Sequence, residues 1–240
     1  MAISRTQLVK ELEPGLNALF GLEYKRYENQ HAEIYTTESS DRAFEEEVML
    51  SGFANAQVKA EGQGISFDDA QETYTARYTH DTIALAFAIT EEAIEDNLYD
   101  RIASRYTKAL ARSMSNAKQV KAVTPLNNGL SSVATFNAGD GVSLFSTNHT
   151  TISGTAVKNT LTTQADLNET SLEQGLIDIA GMTDERGLRV AARGVKMIIP
   201  SANQFNAERL MKSQGRTGTA DNDINAVASM GMIPQGYRVN

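Results

Sequence analysis

Three histidines and thirty acidic residues, with no cysteine, set the limits of the chemistry this chain can carry. His31, His80 and His149 lie far apart, and none has the HExxH or HxH spacing that aims two imidazoles at one metal. Each reads as a surface or packing residue. No GxSxG elbow activates a serine, and nothing beside Ser143 or Ser146 would do so. No GxxxxGK[ST] or GxGxxG precedes a helix to cradle phosphate, and Gly62-x-Gly64 is followed by strand-like sequence. Asp221-Asn222-Asp223 starts like a calcium loop but lacks the later glycine and glutamate that complete one. Asn148-His149-Thr150 and Asn168-Glu169-Thr170 match glycosylation sequons, read here as chance because no secretory leader is visible. The absence of cysteine removes disulfides, thiolate metal sites and cysteine nucleophiles together. No catalytic residue, cofactor or metal ligand is expected, and neither is an enzyme.

Composition narrows the classes further. The 240 residues can bury a substantial core, as one large or two modest domains. A formal net charge of -8 argues against general nucleic-acid wrapping, which needs Lys and Arg to neutralise phosphates. No run approaches the ~18 apolar residues of a membrane span. The N-terminal MAISRTQLVKELEPG has no apolar h-region. The expected setting is a cytoplasm, or a particle assembled in one.

Four zones follow along the chain. In residues 1–48, Leu8, Leu12, Leu16, Leu19 and Phe20 stand at helical spacing, and Pro14-Gly15 predicts two short turns in place of one helix. The remainder of that zone, through Tyr24, Tyr27, Ile34 and Tyr35, reads as an extended arm with sparse apolar anchors. Residues 49–90 predict a long hairpin, outgoing over about Met49–Ala60 and returning over about Glu72–Thr90. Its tip would be Glu61-Gly62-Gln63-Gly64. Tyr74, Ala76 and Tyr78 share one face of the return, then Ile83, Leu85, Phe87 and Ile89 share the other, which predicts a bulge or twist near Thr79–Thr82. An isolated hairpin is only marginally stable in water. This one either covers the chain's own core or lies on a partner.

The third zone is the strongest helix. Thr90 is a plausible cap, with Glu91, Glu92, Glu95 and Asp96 on the first turns, where the dipole favours negative charge. Ile94, Leu98, Ile102, Tyr106, Leu110 and Met114 recur every fourth residue along one face, and Ala103, Ala109, Ala111 and Ala117 keep the neighbouring face flat enough for close packing. Pro125 and Asn127-Asn128-Gly129 should end it. Beyond lie a Gly/Ser/Thr/Asn-rich run, a helix over Leu167–Arg186 capped by Asn168 or Thr170, and a short strand stopped by Pro200. A helix from Asn203 capped by Ser201 and a polar loop over Gln214–Asp223 follow, together predicting a small α/β layered domain.

The residues from Ala70 to Met114, AQETYTARYTHDTIALAFAITEEAIEDNLYDRIASRYTKALARSM, resemble the major capsid proteins of tailed bacteriophages. Within them they are most similar to the Mu-like, gpT-like major head subunits. Val58–Gly62, Gly141–Ser146, DLNETSLEQG from Asp166 and Val195–Phe205 extend the likeness over nearly the whole chain. The resemblance implies an α+β capsid fold: an N-terminal arm (1–48), an E-loop hairpin (49–90), a spine helix (91–125) and mainly an A-domain (126–240), with its axial loop near Gly215–Asp223. The family's returning P-domain strands are expected to be missing after Tyr237-Arg238-Val239-Asn240. The implied function is a structural shell subunit assembling as hexamers and pentamers around double-stranded DNA. Portal, scaffold or decoration proteins would be its partners, and the virion, assembled in the host bacterial cytoplasm, its place. No cofactor and no membrane are implied. The residues expected at subunit contacts are Tyr74, Tyr78, Ile83, Leu85 and Phe87 in the E-loop, with Leu8, Leu16 and Phe20 in the arm. An encapsulin-type compartment shell, or a soluble enzyme or binding protein with an unrecognised site, are the alternatives.

Overall fold

The computed structural model describes residues 5–90, 92, 99–216 and 223–239. They fall into two compact units, one of Met1–Glu45 with Tyr78–Asn127 and one of Glu46–Arg77 with Asn128–Asn240.

The first unit is a pair of helices. Helix α1 spans Arg5–Arg26 as one element with Pro14 inside it. The two short turns expected at Pro14-Gly15 are therefore corrected to a single helix, which continues through Tyr24 to Arg26 into the segment expected to be extended. Proline costs a helix interior about 3 kcal/mol, so tertiary packing must offset it. Helix α2 spans Tyr99–Asn127 and passes through Pro125. In the last turn, Pro125 forfeits only its own bond to the Lys121 carbonyl, so the helix ends two residues later than that proline. The expected start of this helix, with Glu91, Glu95, Asp96, Ile94 and Leu98, lies outside the described residues.

Helix α2 buries its small-residue face more deeply than the neighbouring stripe of large apolar side chains. Ala103, Thr107, Ala111 and Ser115, spaced by four, are the buried positions, while Ile102 and Tyr106 are exposed. Leu110 and Met114 are half-buried. The buried stripe is thus displaced by one residue, about 100° round the helix. Small side chains let a second helix approach closely, and α1 is that helix. Its half-buried Leu16, Leu19 and Phe20 share a face with buried Glu23, whose carboxylate meets Arg26 at 2.9 Å and Lys108 of α2 at 3.7 Å. The Thr107 hydroxyl donates to the Ala103 carbonyl at 2.8 Å, so this polar residue on the stripe is satisfied within its own helix. After α1 a 3-10 turn, Gln30–Glu33, buries His31. The Gln119 side-chain oxygen accepts the His31 backbone N–H at 3.0 Å.

Residues 80–90 run along this unit without strand pairing. Lys121 of α2 holds the Asp81 carboxylate by an ion pair, and that hydrogen bond and charge keep the carboxyl below its ordinary pKa. A depressed carboxylate contributes stability above about pH 3.9, its unfolded value, and loses it as pH falls further. We expect the NMR chemical shifts of residues 82–89 to move toward random-coil values below that pH, with high salt at neutral pH acting in the same direction. In Asp81→Asn they should stand there at neutral pH already and show no acid step. An unaltered step in that variant would assign it to another group.

Strands β1 (Phe44–Leu50) and β2 (Glu72–Thr79), most of whose residues belong to the second unit, pair as a ribbon. Ser51 N–H donates to the Gln71 carbonyl at one end and His80 N–H to the Ala43 carbonyl at the other. Seven residues of β1 thus face eight of β2, the count of a β-bulge. The extra residue lies within β2, which ends at Thr79. The ladder is also shorter than expected. Residues 51–71 form no strand, and 80–90 do not continue β2.

Past Asn128 come the two-residue strands β3 (His149–Thr150) and β4 (Ala156–Val157), paired antiparallel. Helix α3 (Glu169–Ala180) starts on the expected Asn168, in a reciprocal cap with Ser171. Strand β5 (Met197–Ile199) stops at Pro200 and pairs parallel with β6 (Tyr237–Val239). Helices α4 (Gln204–Lys212) and α5 (Ala226–Ser229) lie between them in sequence. The Ser201 hydroxyl makes no cap for α4; a 3-10 turn, Ser201–Asn203, leads into that helix instead. The core here is Leu176, Ile199, Ala207, Leu210, Val227 and Ile233. The parallel pairing of β5 with β6, with α4 and α5 between them in sequence, is the strand–helix–strand order expected for this region.

Candidate functional site

Assembly through surfaces leaves a signature different from catalysis: apolar side chains that the fold presents and does not cover. Two such places lie in the second unit. One is the distal ribbon, residues 51–71. It reverses at Gly62, whose φ of 81° suits glycine, and Gln63 N–H donates to the Ala60 carbonyl at 3.2 Å. Val58 is 99% exposed, Phe67 96% and Ile65 73%. The ribbon is nonetheless held at its neck. Ala54 N–H donates to Asp68 at 2.7 Å, and that bond, with the charge of Arg186, keeps the Asp68 carboxyl below the usual range. Arg186 also donates to the Asp69 carbonyl at 2.7 Å.

The second place is an open cleft of about 920 Å³ at the ribbon's base. Val48, Met49, Leu144, Val157, Ile177 and Met182 form its apolar wall, and Glu47, Asp140, Asp178, Glu185 and Lys158 supply its charges. His149 Nδ1 meets Asp140 at 2.7 Å, while its Nε2 is buried without a hydrogen-bond partner. Lys158 binds Asp178 at 3.0 Å and holds its carboxyl low.

The sequence-predicted contact residues divide between internal and exposed roles. Tyr74 is half-buried, and its hydroxyl donates to the Thr150 carbonyl at 2.7 Å. A Cβ on Gly139 would stand 3.1 Å from Tyr74 Cβ, so glycine allows that close approach. Phe87 packs on Tyr106 with ring centroids 6.0 Å apart. Ile83 is half-buried, whereas Tyr78 and Leu85 are exposed. Leu16 and Phe20 lie half-buried on the face of α1 that carries Glu23; Leu8 belongs to α1, and its side chain is outside the described set. Val58, Ile65 and Phe67 were missed in the sequence, although they flank the glycine tip that marks the ribbon's end. Of the expected axial loop Gly215–Asp223, residues 217–222 lie outside the described residues. Its stem is closed by Arg216 N–H donating to the Asp223 carbonyl at 2.8 Å, and Arg216 meets the buried Glu169 carboxylate at 3.2 Å.

Among the described residues no cluster of histidine and carboxylate side chains could hold a metal ion, and no helix is long and apolar enough to cross a membrane. A family model described as phage capsid protein matches residues 73–239, well over half of the chain. The chain belongs to the phage capsid protein family. Its fold resembles a chain of the procapsid of bacteriophage JBD30, with a TM-score of 0.67 at 13% identity, covering 99% of both chains. No curated protein matches the sequence. The α+β capsid fold expected from the sequence is thereby borne out, and so is a structural, virion-borne role in place of an enzymatic one.

Proposed function

We propose that this phage capsid protein builds the head shell as hexamers and pentamers of itself around double-stranded DNA, with the ribbon acting as the E-loop that reaches a neighbouring subunit. The observation that carries this reading is the distal ribbon. A chain does not fold three large apolar side chains into water on a held neck unless a partner covers them. On this reading residues 1–48 are the arm, 49–90 the E-loop, 91–125 the spine helix and 126–240 mainly the A-domain. Val58, Ile65 and Phe67 join the exposed Tyr78 and Leu85 as E-loop contacts, while Leu8, Leu16 and Phe20 keep their proposed role in arm docking. The Mu-like placement rests on the quoted sequence motifs alone. Portal, scaffold or decoration proteins are proposed further partners, and assembly is proposed to take place in the host bacterial cytoplasm. Individually modest contacts suffice because a closed shell multiplies them.

Gel filtration and negative-stain microscopy test the proposal. The wild-type chain should give rings, sheets or shells, and a chain lacking Gln57–Gln71 should remain small with α1 and α2 still folded. Unimpaired assembly after that deletion would remove the E-loop role. A wild-type chain that stays a ~26 kDa monomer under every assembly condition would sink the shell itself.

A further inference from the structure

We propose that a stripe of cations on α2 binds the phosphate backbone of double-stranded DNA without regard to base sequence. This rests on the shell reading and names the face of the subunit that meets the packaged duplex. The chain carries a formal charge of -8, but α2 runs against it, with six cations and the single acid Asp100. Arg105, Lys108 and Arg112 follow one another by three and four residues, which sets them within about 60° of each other round the helix. Arg101 holds the same register one turn earlier, its side chain outside the described set. From Arg101 to Arg112 the row runs for about 16 Å along the axis. It stands beside the buried stripe of Ala103, Thr107, Ala111 and Ser115, so packing against α1 leaves it open.

Arg105 and Arg112 are exposed and have no ion-pair partner among the described residues. Helix α1 extends the patch, since its last turn carries Lys25 and Arg26. Arg26 is tied to the row through Glu23, the carboxylate that also meets Lys108. That buried acid is shared between two cations and leaves the two arginines uncompensated. Glu28 stands at the far end, where its carbonyl accepts from Gln119, two turns past Arg112. The make-up of the face selects the polyanion. Centres of protein interfaces are depleted in charge and rich in aromatic side chains, whereas the exposed neighbours of this row include Ala109 and Asn116, and no large apolar side chain interrupts it. Three of its four cations are arginines, whose planar forks pair with phosphate oxygens two bonds at a time. A duplex presents one charge for about every 1.7 Å of axis, so each cation of the row finds a phosphate in any register. Backbone contacts of this kind carry no sequence information.

The salt dependence of binding to a labelled short duplex by the full chain tests the stripe. Each phosphate contact contributes about 0.9 to the slope of log affinity against log salt, so Arg105→Gln/Arg112→Gln should lower that slope by about two. The loss should be equal for duplexes of unlike sequence, and the variant should melt and assemble as the wild type does. Arg189→Gln/Arg193→Gln removes the same charge from exposed positions of the second unit and should keep the wild-type slope. Equal slopes in all three proteins, or equal losses in both variants, would overturn the stripe. So would a stripe variant that binds the duplex normally and no longer builds shells, which would make the row a contact between proteins. The shell reading itself falls only if the wild-type chain fails to assemble.

Discussion

A chain carrying Val58→Asp and Phe67→Asp together should melt at the wild-type temperature and build no shells. Both side chains are almost wholly exposed in the single chain, so replacing them removes no packing, and surface changes of this kind stay within about 0.5 kcal/mol. In an assembled contact the same positions are covered. Burying a Val or Phe side chain is worth about 1.5–3 kcal/mol, and a carboxylate in its place must be desolvated without a partner, which adds to the loss. The two sites together cost roughly 3–6 kcal/mol per contact, which weakens each contact by on the order of 10² to 10⁴. Because every subunit both gives and receives such a contact, the shortfall repeats around the ring and the shell does not close. Circular dichroism melting separates folding from assembly, and microscopy reads assembly. Shells at wild-type yield would show that the tip is not a subunit contact.

The sequence was most legible where local chemistry decides the structure. Asn168 announces its helix because the cap is a bond between a side chain and a backbone three residues on, and Pro200 announces the end of β5 because proline cannot donate to a ladder. The reversal at Gly62 is of the same kind. Legibility failed where a distant element decides. Pro14 marks a break by propensity, yet α1 continues because α2 lies against it. The ribbon was expected to pair over its whole length from its alternation, but alternation signals two unlike faces and not a partner strand. Beyond Ser51 the apolar face finds nothing in its own chain, so the ladder stops and Val58, Ile65 and Phe67 stay in water. His149–Asp140 and Arg216–Glu169 join residues nine and forty-seven positions apart, and neither pair has a spacing that sequence alone would single out. The capsid family itself was legible through the text of Ala70–Met114, a resemblance that the family match over residues 73–239 bears out.

The buried stripe of α2 leads to the other large effect, Ala111→Leu. Ala111 is fully buried in a row with Ala103, Thr107 and Ser115, all small, against the face of α1 that carries Leu16, Phe20 and Glu23. Leucine adds three heavy atoms where no space exists. Either α1 moves outward, or the new side chain takes a strained rotamer, at about 1–3 kcal/mol. Moving α1 would also stretch the Glu23–Lys108 contact, already 3.7 Å, and leave a buried carboxylate with Arg26 as its main partner. For a chain of this size each kcal/mol lowers the melting temperature by about 2–4 °C. Ile102→Ala supplies the contrast, since Ile102 is exposed one residue away round the helix, and its loss should stay within about 0.5 kcal/mol. If the large stripe of Ile102, Tyr106, Leu110 and Met114 were the buried face, the order would reverse. Ile102→Ala would then open a cavity costing about 2–5 kcal/mol, and Ala111→Leu would sit harmlessly in solvent. Melting the two variants side by side decides which face of α2 holds α1.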